Sequence, residues 1–208
     1  EVFGFTRLMV ACLGLAAGVA ALEKVIPYAK ERVQFGSPLI EKQGYTHKLV
    51  LPYVAKLAAS RAYIEEVCER LDAGETDLQA EGAIAKLHAT EVRNACADAA
   101  IHALGGYGYT REYDVEKIKR DVKITTIYEG TSEIMQLIVG TFRWRETVRS
   151  KGAFYDELAQ RLEAIEASHP ALKAGSLAAL ARLLNRLYQA MHESKLTRQQ
   201  HLMFQMAT

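Results

Sequence analysis

Residues 77–108, DLQAEGAIAKLHATEVRNACADAAIHALGGYG, carry the pattern that indicates the class of structure. Apolar side chains recur three and four positions apart from Ile84 to Leu104, which is the spacing of one face of an α-helix. Asp77 can cap the start of this helix, and the glycines within residues 105–108 can end it. We therefore predict a long helix with a defined start near Asp77 and a defined end at the glycines of residues 105–108.

The same spacing continues on both sides of this stretch, and no run of strict alternation is long enough to predict a strand. Long helices joined by short turns are typical of an antiparallel bundle. The sequence therefore predicts an all-α fold, an antiparallel (up-down) four-helix bundle with a small C-terminal helical appendage. The other predicted bundle helices run from about Thr6 to Gln34 with Pro27 inside, from about Pro38 to Leu71, from Asp114 to about Arg120, and from Thr131 or Ser132 to about Val148.

The periodicity changes after Arg149, where Ser150, Lys151 and Gly152 interrupt it. We predict two domains: a helical bundle over 1–148 and an extension over 149–208, the latter with helices at about 153–168, 176–192 and 196–207. The residues from Ser176 onward form a basic amphipathic surface, and such a surface can lie on a membrane. We expect it instead to pack on the bundle or on a second subunit.

Composition excludes several classes of protein. The 208 residues are 50% hydrophobic and 25% charged, and 26 basic against 25 acidic side chains leave a formal charge of +1, so a nucleic-acid partner is not expected. Fifteen uncharged residues between Arg7 and Glu23 fall short of the about 20 that span a bilayer, which favours a buried helix. The chain begins with Glu1, and we expect a longer protein upstream and a truncated end downstream.

Metal chemistry has little support in the sequence. Ferritin-like bundles hold two metal ions with paired Glu-x-x-His motifs, and only Glu166 with His169 matches one. The remaining histidines show no pair at ligand spacing, so no metal site is predicted.

Three clusters suggest a different site. Leu104-Gly-Gly-Tyr-Gly108 is a helix stop whose amides could also hold a phosphate. Glu129 lies between bulky Ile127 and Tyr128 and a helix start, where an apolar wall would make it a base, although a carboxylate there also compensates the helix dipole. Arg32, in the segment ERVQFGSPL of residues 31–39, could clamp a phosphate or be a solvated helix-terminal arginine.

Together these clusters resemble the C-terminal helical domain of the acyl-CoA dehydrogenase family. The matching segments are YAKERVQFGSPLIEKQG (28–44), ALGGYGYTREYDVEKIKRD (103–121) and ITTIYEGTSEIMQLIVG (124–140), in the family's order and spacing. The resemblance covers about residues 1–148. It implies a flavoenzyme that oxidises an acyl-CoA thioester to the 2,3-enoyl-CoA.

By this resemblance Glu129 is the catalytic base that removes the α proton, while a hydride leaves the β carbon for FAD. Some members carry the base just before the arginine that is Arg7 here, but that position is Thr6, which cannot serve. The resemblance further implies substrate contacts at Arg7, Tyr128 and Gly130. It implies FAD contacts at Arg32, Gln34, Phe35, Gln43, His102, Gly105, Gly106, Thr131 and Glu133.

The family also implies partners. We expect a homodimer or tetramer that shares FAD across subunits, with a dimer favoured by the extension, and an electron-transfer flavoprotein or similar acceptor. The expected compartment is the bacterial cytoplasm, or the mitochondrial matrix in a eukaryote, and the isolated piece is expected to be inactive. Two alternatives are a non-catalytic helical module for oligomerisation and a flavin acyl-CoA oxidase.

Overall fold

Helices make up most of the chain in the computed structural model, which describes the backbone of residues 2–207 and the side chains of 4–207. Contacts divide the chain into two compact units, 1–135 and 136–208. The all-α prediction is confirmed. The first unit contains α1 (Val2–Glu31), α2 (Gln43–Leu49), α3 (Leu51–Asp72), α4 (Gln79–Leu104), α5 (Val115–Lys123) and the start of α6 (Ser132–Arg149).

The prediction of one continuous helix from Pro38 to Leu71 is wrong. The structure has a 3-10 turn at Leu39–Glu41, then α2, then α3, with the break at Val50 (φ −123°, ψ −65°). Pro52 follows directly at the start of α3. Proline has no backbone N–H and clashes with a preceding helical turn, so it is favoured in the first turn of a helix and costs stability in the interior.

A short β-hairpin replaces the end of the first predicted helix. α1 stops at Glu31, and β1 (Val33–Gln34) pairs antiparallel with β2 (Ser37–Pro38). The turn is made by Phe35 and Gly36, both with positive φ, at 50° and 81°. Two-residue strands are too short to produce an alternating pattern, which explains why the sequence did not predict them.

The core of the first unit lies around α4, whose alanine-rich sequence lets its neighbours approach closely. A Cβ added at Gly82 would lie 2.8 Å from the Gly4 carbonyl oxygen. Further along, the Cys96 thiol donates to the Gly18 carbonyl at 3.4 Å. Since the contact positions rise together on both helices, α1 and α4 run parallel. α3 runs antiparallel to α1, because Leu57 meets Gly18 while Ile64 and Val67 pack with Leu8.

The second unit has its own small core. It comprises the rest of α6, α7 (Ala153–Ser168), α8 (Gly175–Glu193) and α9 (Gln200–Gln205). Tyr155 of α7 stacks on Tyr188 of α8, with ring centroids 6.1 Å apart, and the Asn185 amide donates to the Gly152 carbonyl at 3.1 Å. The predicted boundary at 148/149 stays a prediction, since α6 begins in one unit and ends in the other.

One helix in the described residues, α1, is long and apolar enough by composition to cross a membrane, over Gly4–Glu31. The core helix of a soluble protein meets the same criterion. α1 packs along α4 and buries Ala11 and Val25 completely, whereas Phe5, Met9 and Leu13 are exposed.

Candidate active site

The segment 127–131 forms a tight loop that presents a carboxylate. The N–H groups of Ile127 and Tyr128 donate to the Ile124 carbonyl, which closes the preceding turn. Glu129 and Gly130 then both adopt positive φ, 56° and 95°. The Thr131 hydroxyl accepts a hydrogen bond from the Ile134 N–H at 3.3 Å, as an N-cap does, so α6 begins where the sequence predicted.

The Glu129 carboxylate is held from the start of α1. The Thr6 hydroxyl donates to its Oε2 at 3.0 Å, a contact between residues 123 apart in sequence. Next to it, Arg7 is only 9% exposed and donates to the Gln79 side chain at 3.3 Å. Burial lowers the pKa of Arg7, and the nearby Glu129 charge raises it in opposition. Thr6 therefore contacts this carboxylate directly, and Arg7 acts on it through its charge.

A buried lysine lies beneath the loop. Lys86 of α4 is 0% exposed, and its ammonium donates to the Gly130 carbonyl at 2.5 Å. Burial is the main cause that lowers its pKa to about 8, with Glu91 and Glu129 opposing the shift. The Ser132 hydroxyl in turn donates to the Glu91 carboxylate. The loop is thus tied to α4 on both sides of Thr131.

A second buried cation follows seven positions later on the same face of α4. Arg93 is 2% exposed, and within residues 2–207 its Nε and Nη2 have no hydrogen-bond partner. Its guanidinium lies against α1, because a Cβ added at Gly14 would be 3.2 Å from Nη1. Burial lowers the pKa of Arg93 to about 10, with an opposing contribution from Tyr128. The α1–α4 interface is therefore unusually cationic for a helix core.

The lowered pKa of Lys86 predicts a pH-dependent stability. Between pH 8 and the ordinary pKa of 10.5, the unfolded chain binds more protons at this lysine than the folded chain, so the free energy of unfolding rises with pH. Below pH 8 the buried ammonium costs about 3 kcal/mol, and its hydrogen bond to Gly130 offsets about half of that. We therefore expect Lys86→Met to raise the free energy of unfolding by about 1–2 kcal/mol at pH 7, measured by chemical denaturation.

The gain should shrink as the pH approaches 10. The matched control is Lys48→Met at an exposed position of α2, for which we expect no change at either pH. A lower stability of Lys86→Met at pH 7 would show that the ammonium stabilises the fold.

The predicted nucleotide residues lie in a different part of the first unit. Arg32 and Lys24 line a groove of about 540 Å³ with Tyr28, Tyr107 and Tyr113, and three carboxylates, Glu23, Glu31 and Glu112, line it as well. The tyrosines form an aromatic cluster, with the rings of Tyr107 and Tyr113 5.2 Å apart. Within residues 2–207 the Arg32 guanidinium has no side-chain partner, and Phe35 at the hairpin turn is 96% exposed.

The glycine loop forms one wall of this region. Gly105 has a positive φ of 62°, which ends α4, and Gly108 is buried directly against the backbone of α4. A Cβ at Gly108 would lie 2.4 Å from the Ile101 carbonyl oxygen. Because Gly108 has no side chain, the loop can lie close enough to α4 to place Tyr107 in the aromatic cluster.

Comparison with known families identifies the bundle. The family described as acyl-CoA dehydrogenase, C-terminal domain, matches residues 1–142. The chain belongs to the acyl-CoA dehydrogenase family. Its sequence is 37% identical over 136 residues to an acyl-CoA dehydrogenase of Bacillus subtilis, covering 65% of this chain and 35% of that protein. It is 35% identical over 133 residues to a subunit of the caffeyl-CoA reductase-Etf complex of Acetobacterium woodii, covering 64% and 35%.

A solved structure supports the same family. A glutaryl-CoA dehydrogenase from Mycobacterium smegmatis in complex with FADH2 matches with a TM-score of 0.61 and 26% identity, over 64% of this chain and 34% of that chain. This relative is an acyl-CoA dehydrogenase family member that binds a flavin. The chain spans about a third of the length of the proteins it matches.

The structure brings together only some of the residues predicted to form the acyl-CoA dehydrogenase site. Glu129, Gly130 and Arg7 form one cluster with Thr6 and Lys86. Arg32 lies at the aromatic groove, whose glycine-loop wall begins at Gly105 and Gly106. Gln34, Gln43, His102 and Glu133 are exposed. Hydrogen bonds from its own backbone N–H and from Thr131 hold the pKa of the Glu133 carboxyl below its ordinary value.

Sequence reasoning missed Lys86, Arg93 and the role of Thr6. The two cations could have been noticed, because they lie seven apart on an alanine-rich helix and so share one face. Thr6 could not, since no spacing rule connects it with a residue 123 positions away.

Proposed function

We propose that this chain is the catalytic helical domain of an FAD-dependent acyl-CoA dehydrogenase and that Glu129 is its base. The observation that carries the proposal is the arrangement of the Glu129 carboxylate, which is half-buried, held by Thr6 and presented by a loop anchored to α4. An oriented carboxylate shielded from water is what removal of an α proton from a thioester requires.

The proton transfer can be followed through the chain's own residues. Glu129 accepts the α proton, and the Thr6 hydroxyl keeps Oε2 directed while the charge is transferred. Within residues 2–207 the Glu129 N–H donates no hydrogen bond, so it is free to donate to the thioester oxygen as negative charge develops there. Arg7, Tyr128 and Gly130 are proposed to contact the substrate.

The groove beside Arg32 fits part of a dinucleotide. The Arg32 guanidinium suits a phosphate, and the tyrosines that line the groove suit an adenine ring. The phosphates must lie beside Arg32 and Lys24, away from the carboxylates of Glu23, Glu31 and Glu112. When bound, FAD supplies the acceptor for the β hydride. We assign the nucleotide contacts to Arg32, Gln34, Phe35, Gln43, His102, Gly105 and Gly106, and contacts to the subunit's own flavin to Thr131 and Glu133. Sharing of FAD in a homodimer, and electron transfer to a flavoprotein, belong to the same proposal.

The test follows the α proton directly. The full-length protein that contains this chain is loaded with FAD and mixed without oxygen with an acyl-CoA, and with a 2,2-dimethylacyl-CoA that has no α proton. We expect the flavin absorbance to fall only with the first, because hydride loss needs the α proton to leave. Equal loss of absorbance with both thioesters would contradict the proposal.

One relative favours the reverse direction as a second candidate. The Acetobacterium woodii protein is named as part of a reductase complex, and Glu129 could return a proton to the α carbon of an enoyl-CoA. Measuring turnover in both directions, with an electron acceptor and with a reduced donor, distinguishes the two.

A further inference from the structure

Lys86 occupies a position that the proposed reaction does not explain. A lysine on the buried face of a core helix is rare, because its charged form loses its hydration there. Lys86 is fully buried in α4, and its contact is the Gly130 carbonyl, 44 residues away and directly after the base. The lysine therefore connects the core helix with the backbone that carries Glu129.

The backbone at this point needs support. A non-glycine residue in the left-handed region costs about 1–2 kcal/mol, and Glu129 is such a residue, followed by Gly130 with φ 95°. Strained conformations of this kind persist only where the surroundings hold them. The hydrogen bond from Lys86 fixes the carbonyl of Gly130, and the one from Thr6 fixes the carboxylate of Glu129. These two contacts determine where the base points.

The charge of Lys86 also acts on the base. Its ammonium interacts with the Glu129 carboxylate, and burial strengthens such interactions because little water screens them. The other charged groups that act on Lys86 are Glu91 and Arg93 of α4, Arg7 of α1, and Glu133 at the start of α6.

We propose that Lys86 is a positioning residue for the Glu129 base: by clamping the Gly130 carbonyl, it holds the loop that presents the carboxylate. The inference rests on the proposed function, since it assigns Lys86 a role only if Glu129 accepts a proton.

The test compares Lys86→Met, Lys86→Gln and Lys86→Arg in the full-length, FAD-loaded protein, with Lys48→Met as the matched control. For Lys86→Met we expect kcat to fall by about tenfold to a hundredfold, the scale of a small misplacement of a reacting group, with KM nearly unchanged. Lys86→Gln and Lys86→Arg each keep a hydrogen-bond donor, so both should recover part of kcat.

A second measurement is independent of turnover. Hydrogen exchange at the amides of Ile127, Tyr128 and Met135, which donate to carbonyls at the two ends of the loop, should become faster in Lys86→Met, while α4 stays protected, because only the clamp is lost. A lysine with a merely structural role would instead lower the overall stability in Lys86→Met, and all slowly exchanging amides would lose protection together.

The outcomes separate the two proposals. If Glu129→Gln is inactive while Lys86→Met keeps the wild-type kcat and the wild-type exchange at the loop amides, the role of Lys86 is refuted and the base assignment stands. If Glu129→Gln keeps its activity, the proposed function itself fails. A Lys86→Met protein with low kcat and a uniformly lower stability also refutes the positioning role.

Discussion

Glu129→Gln in the full-length protein should lower the rate of acyl-CoA oxidation by more than about a hundredfold, the contribution expected of a general base. Glutamine has nearly the same size, and its amide oxygen can still accept the Thr6 hydrogen bond, so the loop should keep its shape. It cannot accept a proton. The measurement is kcat by stopped-flow or steady-state assay, with bound FAD quantified from its absorbance.

The control for this variant is Glu41→Gln, at an exposed carboxylate in the 3-10 turn before α2. We expect it to have the wild-type rate. A Glu129→Gln enzyme that binds FAD and turns over at close to the wild-type rate would exclude proton abstraction by this residue and would favour the helical domain as an oligomerisation module.

Gly108→Ala should produce the largest loss of stability. The added Cβ would lie 2.4 Å from the Ile101 carbonyl oxygen and 2.9 Å from its Cα, and backbone atoms within a helix cannot move aside. Overpacking of this kind costs about 3 kcal/mol, which corresponds to a fall in Tm of about 6–12 °C for a domain of this size. Differential scanning calorimetry of the full-length protein measures the effect.

Gly106→Ala is the matched control in the same loop. No atom lies within 4 Å of a Cβ at Gly106, and its φ is not positive. We expect its free energy of unfolding to stay within about 0.5 kcal/mol of the wild type. Equal destabilisation by both alanines would mean that the loop is sensitive to any side chain, and that the close approach of Gly108 to α4 is not the cause.

The predictable part of this fold is the part that local rules control. α4 and its glycine stop follow from periodicity and from the conformational freedom of Gly105. The break at Val50 was missed because the apolar spacing continues through it, and only Pro52 signalled a new helix start. The α6 start was predicted correctly, since a threonine N-cap acts on residues three positions away.

The candidate site was predictable only where a motif is contiguous in sequence. Glu129 and its neighbours were recognised from IYEGTSE, residues 127–133. The contacts that hold them come from Thr6 and Lys86, which are 123 and 44 residues away from their partners. Such contacts depend on how helices pack, and helix packing is not encoded in any spacing within one segment.

The contact between Thr6 and Glu129 makes the two positions at which the family resemblance implies a base nearly one place. The side chains of these residues meet at 3.0 Å, so a carboxylate carried on α1 at position 6 would enter the volume that the Glu129 carboxylate now fills. Position 129 would then be left to a small residue, and a glycine there would adopt the positive φ without strain. The fold therefore permits either segment to carry the base while the proton-accepting carboxylate oxygen keeps the same position.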